Sequence, residues 1–283
     1  MSQAGTLRLA SRAVCQISRS KRNISHMRLP YSIRWKLLRQ SAYAAVRYNG
    51  NQRVKIEDGP AGVLLSVGPH SIHAPSPFRW KLYRWGWPAR LDRLAREYGV
   101  GRHVTLSADS VVLDIGANAG EFAHVAAQYN ARIYCCEPDP ALLACLKLNI
   151  AGLPKASVHD VAIWSETGEL DFGLAPARAD SSVFADTDKR INVAAQTIDQ
   201  FCQDNGIERI DLIKCDAEGG EPEVLAGIER MADRIGAIAL DTGPERRGAR
   251  THEACAKRLS ALGFHVIEEK IGTRWMTFGL RNT

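Results

Sequence analysis

Apolar and polar residues follow two different periods along the chain from residue 110 onward. Short apolar runs typical of buried strands are followed by segments in which apolar residues recur every three to four positions, as on one face of a helix. This order predicts an α/β fold with a mostly parallel sheet. No helical segment separates the last two strands, so they are expected to pair antiparallel across a turn at Gly272. Strands are predicted near residues 110–115, 131–136, 157–164, 210–215, 235–241, 265–270 and 274–280, and helices near 119–129, 140–151, 197–205, 221–232 and 251–262.

The segment before this alternation is irregular and rich in turn residues. Residues 57–77 hold one short apolar run, Val63-Leu64-Leu65, which predicts a small hairpin or an ordered loop. Residues 78–87 mix aromatic and basic side chains, and their role stays open. Either they cap a site, stack on a sugar or contact a membrane surface, or they pack an N-terminal helix onto the core. A helix is expected from Leu91 to Tyr98.

The first strand of the α/β part ends in a turn that favours a bound nucleotide. Gly116 and Gly120 let a ligand approach the main chain, and Asn118 tolerates a left-handed backbone conformation. The next strand delivers Glu137 21 residues after Gly116, about the separation at which an acid meets ribose hydroxyls in a parallel α/β unit. Strand, turn and acid together predict a nucleotide-binding corner.

The details of this corner favour S-adenosylmethionine over a dinucleotide. The glycines are spaced Gly-x-x-x-Gly, which lacks the close-approach glycine for a pyrophosphate, and Asp114 would repel phosphate but suit a cationic sulfonium ligand. Asp114 is expected to orient the methionine ammonium group and Glu137 to hold the ribose. Asp160 is a candidate for binding the adenine amine, with a surface carboxylate as the alternative. The predicted cofactor-binding residues are Asp114, Gly116, Asn118, Gly120, Glu137 and Asp160.

A third strand-to-loop corner, Asp211–Glu221, is crowded with ionisable groups, and Thr197-Ile198-Asp199 lies shortly before it. With the glycine turn and Glu137-Pro138, these strings resemble the FkbM-type family of S-adenosylmethionine-dependent methyltransferases over residues 105–270. The family commonly has Glu at the end of the next strand, where this chain has Asp241. The resemblance implies a Rossmann-like class I methyltransferase fold with an antiparallel last strand. The apolar pattern predicts its seven mostly parallel strands, and the residues before them are expected to form an N-terminal helical and loop extension.

The predicted catalytic residues are Asp216, Glu218 and Lys214. An alcohol is a weak nucleophile at neutral pH, so O-methylation needs help in removing the proton. Asp216 and Glu218 are expected near Glu221 and Asp241, where crowding raises the pKa of one carboxyl or attracts a cation. Lys214 is expected to face the same side as Asp216 and to form an ion pair with it. A purely structural ion-pair network is the alternative. Mg²⁺ is compatible with this corner, but no spacing demands it, and no metal ligand is assigned.

Charge is distributed unevenly along the chain. Residues 1–56 carry twelve Lys or Arg and no acid, whereas the remainder holds more acidic than basic side chains. The predicted catalytic part is therefore acidic, which argues against a nucleic-acid substrate. The basic arm is open to three interpretations: a disordered arm, a membrane-surface helix that gives peripheral membrane contact, or a transit peptide.

Cysteine usage and hydropathy bear on the compartment. The seven cysteines show no zinc-type spacing, so they are interpreted as reduced packing residues. No apolar run reaches the ~18 residues needed to span a bilayer. The protein is expected to be cytoplasmic, with membrane association through the arm left open.

Three regions and one leading function follow from the sequence. The regions are a basic arm (1–56), a substrate or cap region (57–104) and an S-adenosylmethionine-binding methyltransferase domain (105–283). The expected reaction is O-methylation of a hydroxyl on a sugar, a glycolipid or polysaccharide precursor, or a polyketide-like metabolite. The alternatives are a nicotinamide-dependent oxidoreductase and a non-catalytic nucleotide-binding scaffold.

Overall fold

The computed structural model describes residues 54–175 and 181–281, together with Trp35. The expected membrane contact of the basic arm therefore falls outside the described residues. The strands are β1 (Val54–Gly59), β2 (Gly62–Val67), β3 (His70–Ala74), β4 (Val111–Ile115), β5 (Arg132–Cys136), β6 (Ala156–His159), β7 (Ala162–Ile163), β8 (Gly168–Gly173), β9 (Arg190–Gln196), β10 (Ile210–Cys215), β11 (Ile235–Asp241), β12 (His265–Ile271) and β13 (Arg274–Leu280). The α-helices are α1 (Trp87–Glu97), α2 (Glu121–Gln128), α3 (Pro140–Ile150), α4 (Ile198–Asp204), α5 (Glu221–Ala226) and α6 (His252–Ala261), and 3₁₀ helices span Pro77–Tyr83 and Ala232–Arg234.

The central sheet has seven strands in the order β12-β13-β11-β10-β4-β5-β6. The five strands from β11 to β6 are parallel, and β13 pairs antiparallel with both β11 and β12. The expected turn at Gly272 joins the two antiparallel strands, and its φ of 62° is one that glycine adopts freely. This is the strand arrangement of a Rossmann-like class I methyltransferase, so the predicted fold class is confirmed.

Successive residues of the central strands alternate between two cores. On β4, Val112 packs into one core and Leu113 into the other, as the two-residue period of a strand requires. One core also receives α1, α2, α3 and the first three strands, and the other receives α4, α5 and α6. The six cysteines in the described part of the chain are buried and free, as the sequence predicts.

The N-terminal region is an antiparallel sheet of three strands, β1-β2-β3, rather than a single hairpin. β1 begins at Val54 and so crosses the boundary expected after residue 56. The aromatic side chains of residues 78–87 have two environments. Trp80, Tyr83 and Trp87 are buried in the core, whereas Phe78 and Trp85 are exposed. α1 begins at Trp87, four residues before the predicted start, because Pro88 fits the first turn of a helix.

The strand predicted near 157–164 is wrong as a single element. The chain bends at Asp160 and Val161, so β6 ends in the central sheet and β7 joins a second sheet of order β7-β9-β8. The helix predicted for 221–232 is also too long, because α5 ends at Ala226. A side chain at the following Gly227 would lie 2.4 Å from the Trp164 carbonyl oxygen, so the backbone passes close to that loop. None of the helices in the described ranges is long and apolar enough to cross a membrane.

Candidate active site

Three adjoining cavities lie at the carboxyl ends of the central strands, where ligands bind in open α/β sheets. Glu218 lines all three cavities, and Gly116, Asn118 and Asp216 line two of them. The carboxyl ends of β4 and β10 therefore form the junction between the cavities. The inner cavity has a volume of about 60 Å³ and is lined by Glu137, Trp164 and Phe172, among others. The arginine cavity has a volume of about 200 Å³, and its lining includes Arg79, Arg90 and Tyr98. The outer cavity has a volume of about 600 Å³, and its lining includes Ser182, Glu245 and Arg247.

The turn after β4 is fixed by its main chain. Gly116 has a φ of 68°, and a Cβ there would lie 2.0 Å from the Asp216 carbonyl oxygen, so only glycine fits. Asn118 also has a positive φ, 56°, and its side-chain oxygen accepts a hydrogen bond from the Ala119 N–H at 2.8 Å. Both residues line the inner and arginine cavities, where the sequence predicts contact with the cofactor.

Gly120 has a different reason to be glycine. It precedes α2 with a φ of 87°, and a Cβ there would lie 2.7 Å from Leu146 and 2.9 Å from Ile150 on α3. Gly120 is absent from the lining of the three cavities. The sequence predicts that Gly120 lets a ligand approach the main chain. In the structure, the absence of a side chain at Gly120 instead allows α3 to pack closely against the turn.

Glu137 follows β5 and is a buried carboxylate on the wall of the inner cavity. Its two oxygens accept hydrogen bonds from the Asn118 N–H at 2.8 Å and the Asp139 N–H at 2.9 Å. Burial raises the pKa of Glu137 to about 7, although the two N–H donors favour the ionised form. The turn after β4 and the acid after β5 are therefore locked together, with the carboxylate beside the space that a ligand would fill.

Asp114 and Lys214 form a buried ion pair across β4 and β10. Their Nζ and Oδ1 atoms are 2.9 Å apart, and Lys214 also donates to the carbonyl oxygens of Ile115 and Gly116 at 3.2 and 2.6 Å. Burial tends to lower the pKa of Lys214, but Asp114 outweighs that effect, so the pKa is raised and the ammonium stays charged. Asp114 is fully buried and absent from the cavity walls, so the arrangement provides support beneath the glycine turn.

The predicted ion pair between Lys214 and Asp216 is wrong, because Asp216 has other partners. Its Oδ2 accepts from the Tyr98 hydroxyl at 2.9 Å and from Arg274 Nη1 at 2.8 Å. The same guanidinium nitrogen donates to Asp241. Burial alone would raise the pKa of Asp216, but Arg274 and Lys214 hold it well below its usual range. The Asp241 carboxyl keeps a pKa of about 6, raised by burial and by the charge of Asp216.

Glu218 and Glu245 complete a group of carboxylates with Asp216. One oxygen from each of the three residues lies within 4.8 Å of the other two. Glu218 sits at a positive φ of 49°, an uncommon conformation for a residue with a side chain, which occurs often at functional sites. Burial, reinforced by repulsion from Asp216 and Glu218, raises the pKa of Glu245 to about 11. Glu245 therefore holds a proton near neutral pH and provides a hydrogen-bond donor in an otherwise anionic corner.

Glu221 and Asp160 do not face the cavities. Glu221 is fully buried and accepts hydrogen bonds from the N–H groups of Ala217 and Gly219 and from the Thr251 hydroxyl, so it braces the loop that carries Asp216 and Glu218. Asp160 is exposed in the bend between β6 and β7 and is absent from the lining of the inner cavity. The alternative of a surface carboxylate describes it better than an adenine contact.

The β8–β9 segment covers the inner cavity. The Ser181 hydroxyl donates to Asp139 Oδ2 at 2.7 Å and accepts from the Ala175 N–H at 2.8 Å, which ties the segment to the turn after β5. From the sequence alone, residues 173–192 are either a lid over the cofactor or a hairpin and loop without ligand contact. Ser181 and Val183 line the inner cavity, which favours a cover. The apolar wall comprises Val161, Ile163, Trp164, Leu170, Phe172 and Val183.

The sequence that forms this site matches a known protein family. A family model described as the methyltransferase FkbM domain matches residues 114–265, more than half of the chain. The chain belongs to the FkbM family of methyltransferases. The resemblance predicted from the motifs is confirmed, and the family supports S-adenosylmethionine as the methyl donor. The matched range contains Asp114, Glu137 and Asp216 but excludes the arginines of the arginine cavity.

Two curated relatives share parts of this domain. The 2-O-methyltransferase NoeI of Sinorhizobium fredii is 31% identical over 139 residues, which cover 42% of this chain and 57% of the relative. The hexuronic acid methyltransferase AglP of Haloferax volcanii is 22% identical over 134 residues, which cover 47% of this chain and 56% of the relative. The chain thus spans just over half the length of these relatives.

Solved structures with a related fold are more distant. Fibrillarin of Aeropyrum pernix with bound S-adenosylmethionine has a TM-score of 0.43 at 13% identity, covering 69% of this chain and 76% of that one. Magnesium protoporphyrin IX methyltransferase of Synechocystis has a TM-score of 0.43 at 16% identity, covering 73% and 85%.

Proposed function

We propose that this protein transfers a methyl group from S-adenosylmethionine to a hydroxyl group of a sugar. The observation that carries the proposal is the junction of the cavities at Asp216 and Glu218. On one side the inner cavity offers an apolar wall and Glu137, and on the other the outer cavity offers a space of about 600 Å³ lined by Ser182, Glu245 and Arg247. A methyl donor in the first and an acceptor in the second would meet at these two carboxylates.

The residues of the inner cavity suit a nucleoside. Glu137 presents an acceptor for ribose hydroxyls, and the apolar wall around Trp164 and Phe172 suits an adenine ring. Asn118 and Gly116 continue from this cavity into the arginine cavity and provide a path for the amino-acid part of the ligand. The bound cofactor would supply an activated methyl group, and the role of the protein is to align the acceptor with it and to exclude water.

Asp216 and Glu218 divide the work on the acceptor hydroxyl. Asp216 remains ionised because Arg274 and Lys214 lower its pKa, so it is a weak base but a strong hydrogen-bond acceptor that orients the hydroxyl. Its Oδ1 is buried and accepts no hydrogen bond within the described residues. Glu218, which lines every cavity, takes the hydroxyl proton. Lys214 acts indirectly, by holding the Gly116 carbonyl.

The outer cavity favours a sugar over the other acceptors expected from the sequence. Its wall combines Ser182, Asp186, Glu245 and Arg247, which bind hydroxyl groups by hydrogen bonds, with Phe184, whose ring can stack on a pyranose face. The two curated relatives, a 2-O-methyltransferase and a hexuronic acid methyltransferase, support the same class.

The proposal is tested by methyl transfer from isotopically labelled S-adenosylmethionine to a panel of neutral hexoses, hexuronic acids and oligosaccharides, read by mass spectrometry. We expect a gain of one methyl group on at least one sugar. Glu218→Gln should lower kcat by roughly 100-fold or more while cofactor affinity is kept, because only proton removal is lost. Glu166→Gln, at an exposed position outside the cavities, is the matched control. Cofactor binding with no acceptor methylated by the wild-type chain would favour the scaffold alternative.

A metal-assisted form of the reaction is favoured by one observation, the carboxylate group of Asp216, Glu218 and Glu245. Oxygen ligands of this kind suit Mg²⁺, which would lower the pKa of a bound hydroxyl. The high pKa of Glu245 opposes it, because the proton must leave before the oxygen can bind a cation. Methyl transfer is measured with EDTA and then with added Mg²⁺. If activity survives EDTA, Glu218 removes the proton without a metal; if activity is lost and Mg²⁺ restores it, the reaction depends on the metal.

A further inference from the structure

One cluster on the wall of the arginine cavity, formed by Arg79, Arg90 and Glu121, has more positive than negative charge. Arg79 Nη2 and Arg90 Nη2 both approach Glu121 Oε1, at 3.4 and 3.3 Å, and the Tyr83 hydroxyl donates to the same oxygen at 2.7 Å. The side chains of Arg79 and Arg90 are only 9% and 10% exposed. Two buried guanidinium groups therefore face one buried carboxylate, which leaves a net charge of +1.

The other cations on this cavity wall do not share the imbalance. Each has an acid of its own, at a distance of 2.9 Å or less. These pairs are Arg93 with Glu97 (2.7 Å), Lys214 with Asp114 (2.9 Å) and Arg274 with Asp216 (2.8 Å). The excess charge is therefore located at Arg79 and Arg90.

The same two arginines also have unused hydrogen-bond donors. The Nε atoms of Arg79 and Arg90 are buried, and neither has an acceptor within the described part of the chain. A buried guanidinium N–H without an acceptor is costly, so such a donor marks a position where a bound anion is expected. Guanidinium groups bind carboxylates and phosphates well, because their planar N–H groups match two oxygens of the anion.

The cavity connects these donors to the site of methyl transfer. Its wall runs from Arg79 and Arg90 to Gly116, Asn118 and Asp216, three residues that also line the inner cavity. A ligand with its nucleoside beside Glu137 can thus extend past the glycine turn toward the arginines. The amino-acid end of such a ligand carries a carboxylate, which the two guanidinium groups can bind, and an ammonium group, for which Asp216 and Glu218 on the same wall are acceptors.

We propose that Arg79 and Arg90 bind the carboxylate of the methionine part of the cofactor, an inference that rests on the proposed function. Both residues precede the matched family domain, which begins at residue 114. The 3₁₀ helix Pro77–Tyr83 and α1 are on this account part of the cofactor site and not only a cap. Glu121 is a positioning residue that holds the two guanidinium groups side by side.

Calorimetric titration of the full chain tests the proposal, with S-adenosylhomocysteine and its decarboxylated analogue as probes. We expect the analogue to bind about 10- to 100-fold more weakly to the wild-type chain, since hydrogen bonds to a charged group are lost. Arg79→Gln and Arg90→Gln should weaken S-adenosylhomocysteine by a similar factor and leave the analogue unchanged. Arg96→Gln, on the same helix but exposed and outside the cavity, should change neither.

Several results would overturn the assignment. Equal affinity of the wild-type chain for both probes rules out a carboxylate contact, and this result needs no variant. Equal weakening of both probes in the variants shows a packing role. A raised KM for an acidic sugar with unchanged affinity for S-adenosylhomocysteine assigns the arginines to the acceptor carboxylate. If either glutamine variant fails to fold, the lysine variants Arg79→Lys and Arg90→Lys keep the charge and should bind S-adenosylhomocysteine more tightly than the analogue. Failure of the wild-type chain to bind either probe would instead count against the proposed function.

Discussion

The pKa values of single side chains at this site are set by burial and by charges that the fold brings near, more than by the neighbouring residues in the sequence. Glu137 and Glu221 have pKa values raised to about 7, whereas Asp216 is held far below its usual range by Arg274. The sequence identifies Glu137 and Asp216 because each follows an apolar strand. It does not identify Arg274, Tyr98 or Glu245, because these come from distant segments that only the fold brings to Asp216.

At the residue scale, the raised pKa of Glu137 makes cofactor binding dependent on pH. The ionised carboxylate is the better acceptor for ribose hydroxyls, and it becomes populated as the pH rises through about 7. The affinity for S-adenosylhomocysteine should therefore increase by about tenfold between pH 6 and pH 8. Glu137→Gln should bind more weakly at pH 8 and lose this dependence. A wild-type affinity that is flat over this range, measured by calorimetry, would contradict the role given to Glu137.

Arg274 provides a second prediction at this scale. It neutralises Asp216 and Asp241 and lies 3.9 Å from Glu97, so Arg274→Met leaves buried carboxylates without their cation. We expect a loss of about 2–4 kcal/mol in the free energy of unfolding, discounted because the arginine is partly exposed. Asp216 has a lowered pKa and is ionised at both pH 5 and pH 8, so its ion pair with Arg274 stabilises the fold at both. Asp241 has a pKa of about 6 and is mostly ionised only at pH 8, so removal of Arg274 should cost more at pH 8 than at pH 5. Urea unfolding at the two pH values gives the comparison, and an equal loss at both would argue against this electrostatic explanation.

At the scale of elements, the pattern of apolar residues predicts the central sheet well and the small sheet poorly. β4, β5, β10 and β11 are short, mostly apolar runs, and runs of this kind are typical of buried parallel strands. β8 and β9 have mostly half-buried or exposed residues, so no strong period marks them, and the sequence leaves this part as a lid or a loop. The break at Asp160 is missed because the apolar residues continue on both sides of it.

The contact between α2 and α3 gives a prediction for the glycine turn. Gly120→Ala should lower the free energy of unfolding by about 1–3 kcal/mol, because the new methyl group meets Leu146 and Ile150 at a backbone angle that disfavours side chains. Cofactor affinity of the folded variant should stay close to that of the wild type, since Gly120 is absent from the cavity walls. Gly152→Ala, where a Cβ has no neighbour within 4 Å, is the control for stability. A large loss of affinity with unchanged stability would instead restore the ligand contact expected from the sequence.

At the scale of the whole molecule, residues 54–104 are part of the core and contribute to the site. Trp80, Tyr83 and Leu91 lie in the same core as β4 and β5, and Tyr98 donates a hydrogen bond to Asp216. The division at 104/105 expected from the sequence follows the family resemblance, which does not extend to these residues. The family model begins at residue 114, so the family match by itself gives no indication that earlier residues reach the site.

A chain that begins at residue 105 should therefore not fold on its own. It loses the aromatic residues that cover α2 and the hydroxyl that holds Asp216. We expect such a chain to show no cooperative thermal transition, whereas the full chain should unfold cooperatively. A folded, cofactor-binding 105–283 fragment would show that the N-terminal region is a separate domain.

The central claim is that the corner formed by the ends of β4, β5 and β10 binds S-adenosylmethionine. Calorimetric titration of the full chain at pH 8 with S-adenosylhomocysteine and with NAD⁺ tests it most directly. The structure predicts saturable binding of S-adenosylhomocysteine, weakened in Glu137→Gln, and no binding of NAD⁺. Binding of NAD⁺ without S-adenosylhomocysteine would contradict the account and restore the oxidoreductase alternative.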